Sequence, residues 1–363
     1  MVGGYIKGFD GLRAYAVLAV MLFHTNISYF QYGWVGVPIF FILSGFLITN
    51  ILIKTKTSLN YFSVFYARRF LRIFPIYYLA LFFVILFAIY TKQNHADWIW
   101  FGVYLQNFIL SYKNWNVDFP AMFNHTWSLG IEEQFYCFWP IIVKKFNSKW
   151  AIIIATSLIL LAWIFRYFLS QNLQANPFVW ANTISCLDML LGGSLLAYSI
   201  RLFGIKWAIR GSISLVVFVT GVYSVLIALD VIVPFFSKPL DLTSVNGQLF
   251  WILLIPYTSL LLIWLINANN TISRLFFTNK IIVYLGKISY GLYLYHYIVF
   301  DLLDRYSLVS IPKPIFSLIK IAVTILIASL SWKFIEKRIL ILKEKLVYKK
   351  YENSTVRSHW LRR

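Results

Sequence analysis

The sequence predicts an all-α, polytopic helical membrane protein with about ten transmembrane helices, and three observations carry that prediction. Of its 363 residues, 60% are hydrophobic and 20% aromatic, and the mean hydropathy is +0.72. Only 13% are charged, against about 25% in an ordinary soluble domain. The apolar residues are gathered into runs of about 17 to 25, the length a helix needs to cross roughly 30 Å of hydrocarbon. A soluble globular fold is excluded.

In chain order the spanning runs lie near 12–31, 34–53, 73–91, 127–143, 150–169, 179–200, 211–233, 248–266, 282–300 and 315–335. The stretch 97–110 is shorter and contains Gln106 and Asn107, so it is expected at the membrane interface or as a re-entrant segment. Charge supports that choice. With both termini cytoplasmic and 97–110 not crossing, 26 of the 33 Lys and Arg fall on the inner side, as cytoplasmic retention of basic residues requires. The outer side keeps Lys92, Lys113, Arg166, Lys238, Arg305, Lys313 and Lys320.

The net charge of +20 would raise the question of nucleic acid in a soluble chain. Here it orients helices, and no nucleic-acid partner is expected. Cys137 and Cys186 both lie in apolar runs, which suggests neither a disulfide framework nor a metal site. The first apolar run has no small-residue cleavage pattern, so no removable signal is expected. Residues 1–340 read as one membrane domain. Residues 341–363 read as a short basic cytoplasmic tail drawn to anionic lipid, with no extra extracytoplasmic domain.

Ionisable side chains inside apolar helices are costly and by default mark function. Four sets stand out. In the first span are Asp10, Arg13 and His24; about three helical turns put Arg13 and His24 on one face roughly 16 Å apart. Running outward from the cytoplasm, that helix carries His24 into the outer half. A lone histidine there also serves as a hydrogen-bonded packing residue. The second set is His125, Glu132 and Glu133. Seven residues place His125 and Glu132 on one face of a helix, and pairing of one carboxylate with a structural arginine is the alternative. The third, Ser289, Tyr293 and His296, follows an i, i+4, i+7 stripe that serves helix packing as readily as chemistry. The fourth is Arg68, Arg69 and Arg72 at the inner surface. At i, i+3, Arg69 and Arg72 can converge on one phosphate, which guanidinium groups grip as a fork; basic anchoring alone is the other reading.

Phosphate-binding arginines inside, His and Glu groups in the outer half and a polar strip between them fit transfer of a group across the bilayer. Histidine suits removal of a hydroxyl proton near neutral pH, with a carboxylate to orient it.

The motifs Gly8 to Arg13 with His24, Gly36 to Ile48, Arg68 to Pro75, Gln106 to Phe108, Trp127 to Tyr136 and Ser289 to His296, in this order and spacing, resemble the acyltransferase 3 family of bacterial integral membrane acyltransferases. The resemblance covers nearly all of residues 5–340. It implies ten membrane helices in the bacterial inner membrane, no permanently bound cofactor and an acyl-CoA co-substrate, usually acetyl-CoA, reached from the cytoplasm. It also implies O-acylation of an extracytoplasmic or lipid-linked glycan. Position by position, His24 takes the essential histidine and Arg13 the first-motif arginine. Arg69 and Arg72, with Arg68 beside them, take the donor site. Ser44 and Gly45 open the Ser-Gly-Phe-Leu motif, where glycine permits close helix packing or close approach of a ligand, and Glu132 takes the motif carboxylate. Two departures stand out. Arg338 occupies a place where the family often has proline. Ser185 stands where an arginine often precedes Asp188, so Asp188 is expected without its usual partner.

His24 is thus expected to act as general base on the acceptor hydroxyl or as transient acyl acceptor, with Glu132 or Asp10 in support. The aromatic residues Trp98, Trp100, Tyr112, Trp115 and Phe119 are candidates for stacking on sugar. A separate extracytoplasmic partner enzyme remains open, and a glycolipid transporter or flippase is the rival reading.

Overall fold

The computed structural model describes residues 5–172, 177–228, 245–307 and 311–349. Among the described residues every regular element is helical. In order these are α1 (Lys7–Phe23), α2 (Gly36–Thr55), α3 (Tyr61–Tyr90), the short α4 (Trp98–Gly102) and α5 (Gln106–Tyr112), α6 (Trp127–Lys145), α7 (Ser148–Asn172), the short α8 (Phe178–Ala181), α9 (Thr183–Phe203), α10 (Ile205–Ala228), α11 (Val245–Asn267), α12 (Lys280–Lys287), α13 (Ser289–Tyr306), α14 (Lys313–Ser331) and α15 (Lys337–Glu344).

Seven stretches of described residues are long and apolar enough to cross a membrane: Ser28–Thr55, Tyr61–Tyr90, Ser148–Asn172, Phe178–Phe203, Ile205–Ala228, Gly247–Ile266 and Lys313–Glu344. The protein is a multi-pass membrane protein. Its outer helices turn apolar side chains outward, as lipid-facing helices do: Ile164 and Phe168 on α7, Val217 and Phe218 on α10. The three other expected runs are present as helices of a different character. Helix α1 ends at Phe23 rather than near 31, because Asn26 takes a φ of 55° in the turn that follows. Helix α6 carries two carboxylates, and the run 282–300 is divided at Ile288 into α12 and α13. Lys238 and the tail from 350 lie outside the described residues.

The 97–110 segment forms α4 and α5. At about 1.5 Å per residue, neither is long enough to cross. Its polar pair is fully buried and ties helices together. Gln106 Nε2 donates to Thr126 O at 2.7 Å. Asn107 accepts from Gln134 Nε2 at 2.8 Å and donates to Thr183 Oγ1 at 3.1 Å.

The centre of the bundle is the crossing of α2 and α9. A Cβ on Gly45 would lie 1.8 Å from Leu190 O, and one on Gly193 would lie 1.9 Å from Ile42 O, so the two backbones touch where only glycine fits. Below that contact Thr49 Oγ1 donates to Ser194 Oγ and accepts from Trp139 Nε1, each at 2.8 Å, which locks α6 to the pair. Tyrosine hydroxyls fasten further helices through backbone carbonyls, as Tyr61 does to Pro140 O and Tyr290 to Ile73 O. Helix α3 starts at Tyr61, twelve residues before the expected run, so Arg68, Arg69 and Arg72 stand on the same helix as that run.

Candidate active site

Three cavities follow one another through the bundle. The first, of about 360 Å³, is lined by Asp10, Arg13, Ser44, Lys54, Arg69 and Tyr136 among others. The second, of about 120 Å³, shares Arg13, Ser44, Arg69 and Tyr136 with it and adds Arg72, Ser128, Glu132, Ser289 and Tyr293. The third, of about 770 Å³, shares Val37 and Tyr293 with the second and adds His24, His125, Asn124 and five tryptophans. The expected polar strip is therefore a row of spaces joined through common walls.

Arg69 and Arg72, one turn apart on α3, face the second cavity together. The Arg69 guanidinium lies 5.9 Å from the centre of the Tyr136 ring. Arg13 completes the cluster and is paired with Asp10 at 2.8 Å; Asp10 also accepts from the Tyr5 hydroxyl. Arg68 is turned elsewhere. Its Nε and Nη2 donate to Leu346 O at 2.9 and 2.6 Å, and it lies 5.4 Å from the Tyr348 ring centre, so it fastens the C-terminal segment and does not line the cavities. Gly45 serves the α2–α9 contact, whereas Ser44 faces both of the first two cavities.

Glu132 accepts from Ser44 Oγ at 2.6 Å, and Ser44 accepts from the Tyr136 hydroxyl at 3.1 Å. One residue further round α6, Glu133 is 8% exposed and its Oε1 has no hydrogen-bond partner. Ser289, at the start of α13, reaches the same cavity as Glu132. Neither Glu132 nor Asp10 is the group the structure brings to His24.

That group is His296. His24 caps α1, with Nδ1 2.9 Å from Val20 O and 3.2 Å from His296 Nε2. His296 Nδ1 is 2.6 Å from Tyr293 O. A carbonyl oxygen only accepts, which assigns a proton to each Nδ1. His296 Nε2 is then an acceptor for His24, and the free lone pair of His24 is on Nε2. The His125 ring centre is 4.9 Å from that of His296, and its Nε2 donates to Leu294 O at 3.1 Å. Three histidines from α1, the turn before α6 and α13 thus meet at one end of the row. The i, i+4, i+7 stripe gave the signal for His296, but nothing in it names His24 as the partner.

Asp188 has a partner after all. Arg166 Nη2 is 2.8 Å from its Oδ2, with the two side chains 1% and 0% exposed. The cation comes from α7, not from the position occupied by Ser185, whose carbonyl oxygen accepts from Arg166 Nη1 at 2.6 Å. Arg166 is accordingly a buried structural residue and not one of the cations at a surface. Of the aromatic candidates, Trp115 lines the third cavity, Phe119 is buried in the core, and Trp98, Trp100 and Tyr112 are exposed elsewhere.

Residues 6–333 match the model of a family described as an acyltransferase domain. The chain is 29% identical over 351 residues to the peptidoglycan O-acetyltransferase OatA of Listeria monocytogenes, covering 92% of this chain and 55% of that protein. It is 30% identical over 354 residues to the O-acetyltransferase OatA of Staphylococcus aureus, covering 92% of this chain and 57% of that one. The chain thus spans a little over half the length of these curated relatives. No solved structure matches it.

Proposed function

The chain belongs to the acyltransferase-domain family over residues 6–333, and from that premise we propose that it carries an acetyl group from cytoplasmic acetyl-CoA to a hydroxyl of an extracytoplasmic glycan, as a multi-pass enzyme of the bacterial inner membrane. The observation that carries this reading is the row of cavities, whose shared walls run from the Arg13, Arg69 and Arg72 cluster to His24. All ten apolar or partly apolar helices cross in this reading, with both termini cytoplasmic. The arginine end then faces the cytoplasm and the histidine end the outer half.

Arg69 and Arg72 hold the phosphates of the donor, and the thin pantetheine arm runs past Ser44 and Glu132 toward Tyr293. His24 Nε2 takes the proton of the acceptor hydroxyl as the oxygen attacks the thioester carbonyl. The C–S bond breaks, and the CoA thiolate leaves with that proton. His296 steadies the imidazolium by accepting from Nδ1. A route through acetyl-His24 balances equally and uses the same groups.

The test is transfer of label from radiolabelled acetyl-CoA to peptidoglycan fragments by the purified protein, with release of free CoA thiol. His24→Ala should abolish both while membrane insertion is unchanged. Normal transfer by that variant would overturn the assignment of His24. Glycan binding without thiol release by the wild type would make the protein a transporter.

A further inference from the structure

The third cavity contains more than the reaction needs. We infer that it is a carbohydrate subsite in which Trp34 is the stacking platform, Asn124 receives a hydroxyl, and the buried Arg166–Asp188 pair is the positioning network of the platform. The inference rests on the proposed direction of transfer, which makes this cavity the acceptor side.

Trp34 is half-buried and lines the cavity. It stacks on Trp251, with ring centres 6.0 Å apart and planes 13° from parallel. Trp251 is 3% exposed and is held from behind. Its Nε1 donates to Asp188 Oδ1 at 3.3 Å, and the Arg166 guanidinium lies 5.4 Å from its ring centre. Arg166 in turn is fixed by Asp188 and by Gln248 Oε1 at 2.6 Å. A charge pair buried this deeply gains little net stability over an apolar pair of the same shape. It does hold an indole in one orientation. Pyranose rings present flat C–H faces bordered by hydroxyls, and a fixed aromatic face with polar groups at its edge is the surface they require.

An independent observation points to a ligand that donates hydrogen bonds. Asn124 lines the same cavity, is 9% exposed, and its Oδ1 has no hydrogen-bond partner. A buried acceptor left unsatisfied is costly, and a ligand hydroxyl would satisfy it. His24 lines the cavity too, so a ring seated on Trp34 lies in the space where the base acts.

The experiment measures binding of a soluble N-acetylglucosamine–N-acetylmuramic acid tetrasaccharide to the full chain in nanodiscs, with CoA affinity measured in parallel. Phe218→Ala, on the outward face of α10, should bind the tetrasaccharide as the wild type does. Trp34→Ala should weaken it about tenfold or more and Asn124→Ala about three- to tenfold. Trp251→Phe keeps an aromatic ring, smaller than the indole, but loses the N–H, leaves the ion pair intact and should weaken binding about threefold, with CoA affinity unchanged in all of them. In transfer assays Trp251→Phe should raise the glycan KM and leave kcat within about twofold. Undiminished glycan binding by Trp34→Ala and Asn124→Ala, with His24→Ala still inactive, would overturn the subsite and spare the proposed activity. A wild type that neither binds nor acetylates the tetrasaccharide would overturn the glycan acceptor and the subsite together.

Discussion

His296 Nε2 stands 3.2 Å from His24 Nδ1, across 272 residues of chain. The contact fixes which nitrogen of His24 is free, since Nδ1 is occupied by Val20 O and His296 together. It also makes His296 a positioning residue whose role can be separated from that of the base.

His296→Ala should lower kcat about 10-fold, because the imidazolium of His24 loses one of the two acceptors of its Nδ1–H and keeps Val20 O alone. The KM for acetyl-CoA should not change. His296→Gln offers an amide oxygen to His24 Nδ1 and should recover most of the rate. Equal losses for both variants would show that bulk, not acceptance of a hydrogen bond, is what matters there.

The arginines of α3 should divide in their effects. Arg69→Ala and Arg72→Ala should each weaken CoA binding about 10- to 100-fold, as loss of a charge-assisted contact to phosphate predicts. Lysine at either position should restore only part of it, since an ammonium cannot form the fork. Arg68→Ala should leave CoA affinity within about threefold and instead loosen the segment around Leu346, read as faster hydrogen exchange or proteolysis there.

Helix crossing at the centre sets a stability test. Gly45→Ala and Gly193→Ala each drive a Cβ against a backbone carbonyl, and overpacking of this kind costs about 1–3 kcal/mol or more. Both should melt several degrees below the wild type in detergent. Gly211→Ala, with nothing within 4 Å of the new Cβ, should not.

Topology can be read with fusions. Green fluorescent protein joined after either terminus should fluoresce, and alkaline phosphatase inserted after Lys92 should be active while the same insertion after Lys56 should not. An active phosphatase at the C-terminus would remove the tenth crossing or invert the orientation.

Much of the fold was legible because hydropathy and helical spacing are local. Apolar runs marked the long helices, and the shortness and polarity of 97–110 marked a segment that forms only the short α4 and α5. The misreadings have local causes as well. The polar residues His24, Thr25, Asn26 and Ser28 interrupt the apolar run where α1 ends, and α3 continues through its arginines because a helix need not stop where its sequence turns basic.

By itself the sequence determined that this is a membrane protein, where its long apolar stretches lie, and which residues carry charge at a cost that calls for a reason. Tertiary structure alone decided who meets whom: His296 and not Glu132 beside His24, Ser44 beside Glu132 from 88 residues away, and Arg166 in place of the missing arginine before Asp188. The physical reason is that periodicity fixes the face of a helix on which a side chain lies. Which face meets which neighbour is set by backbone contacts such as Gly45 on Leu190 and Gly193 on Ile42, and by hydrogen bonds that form only once the helices are packed.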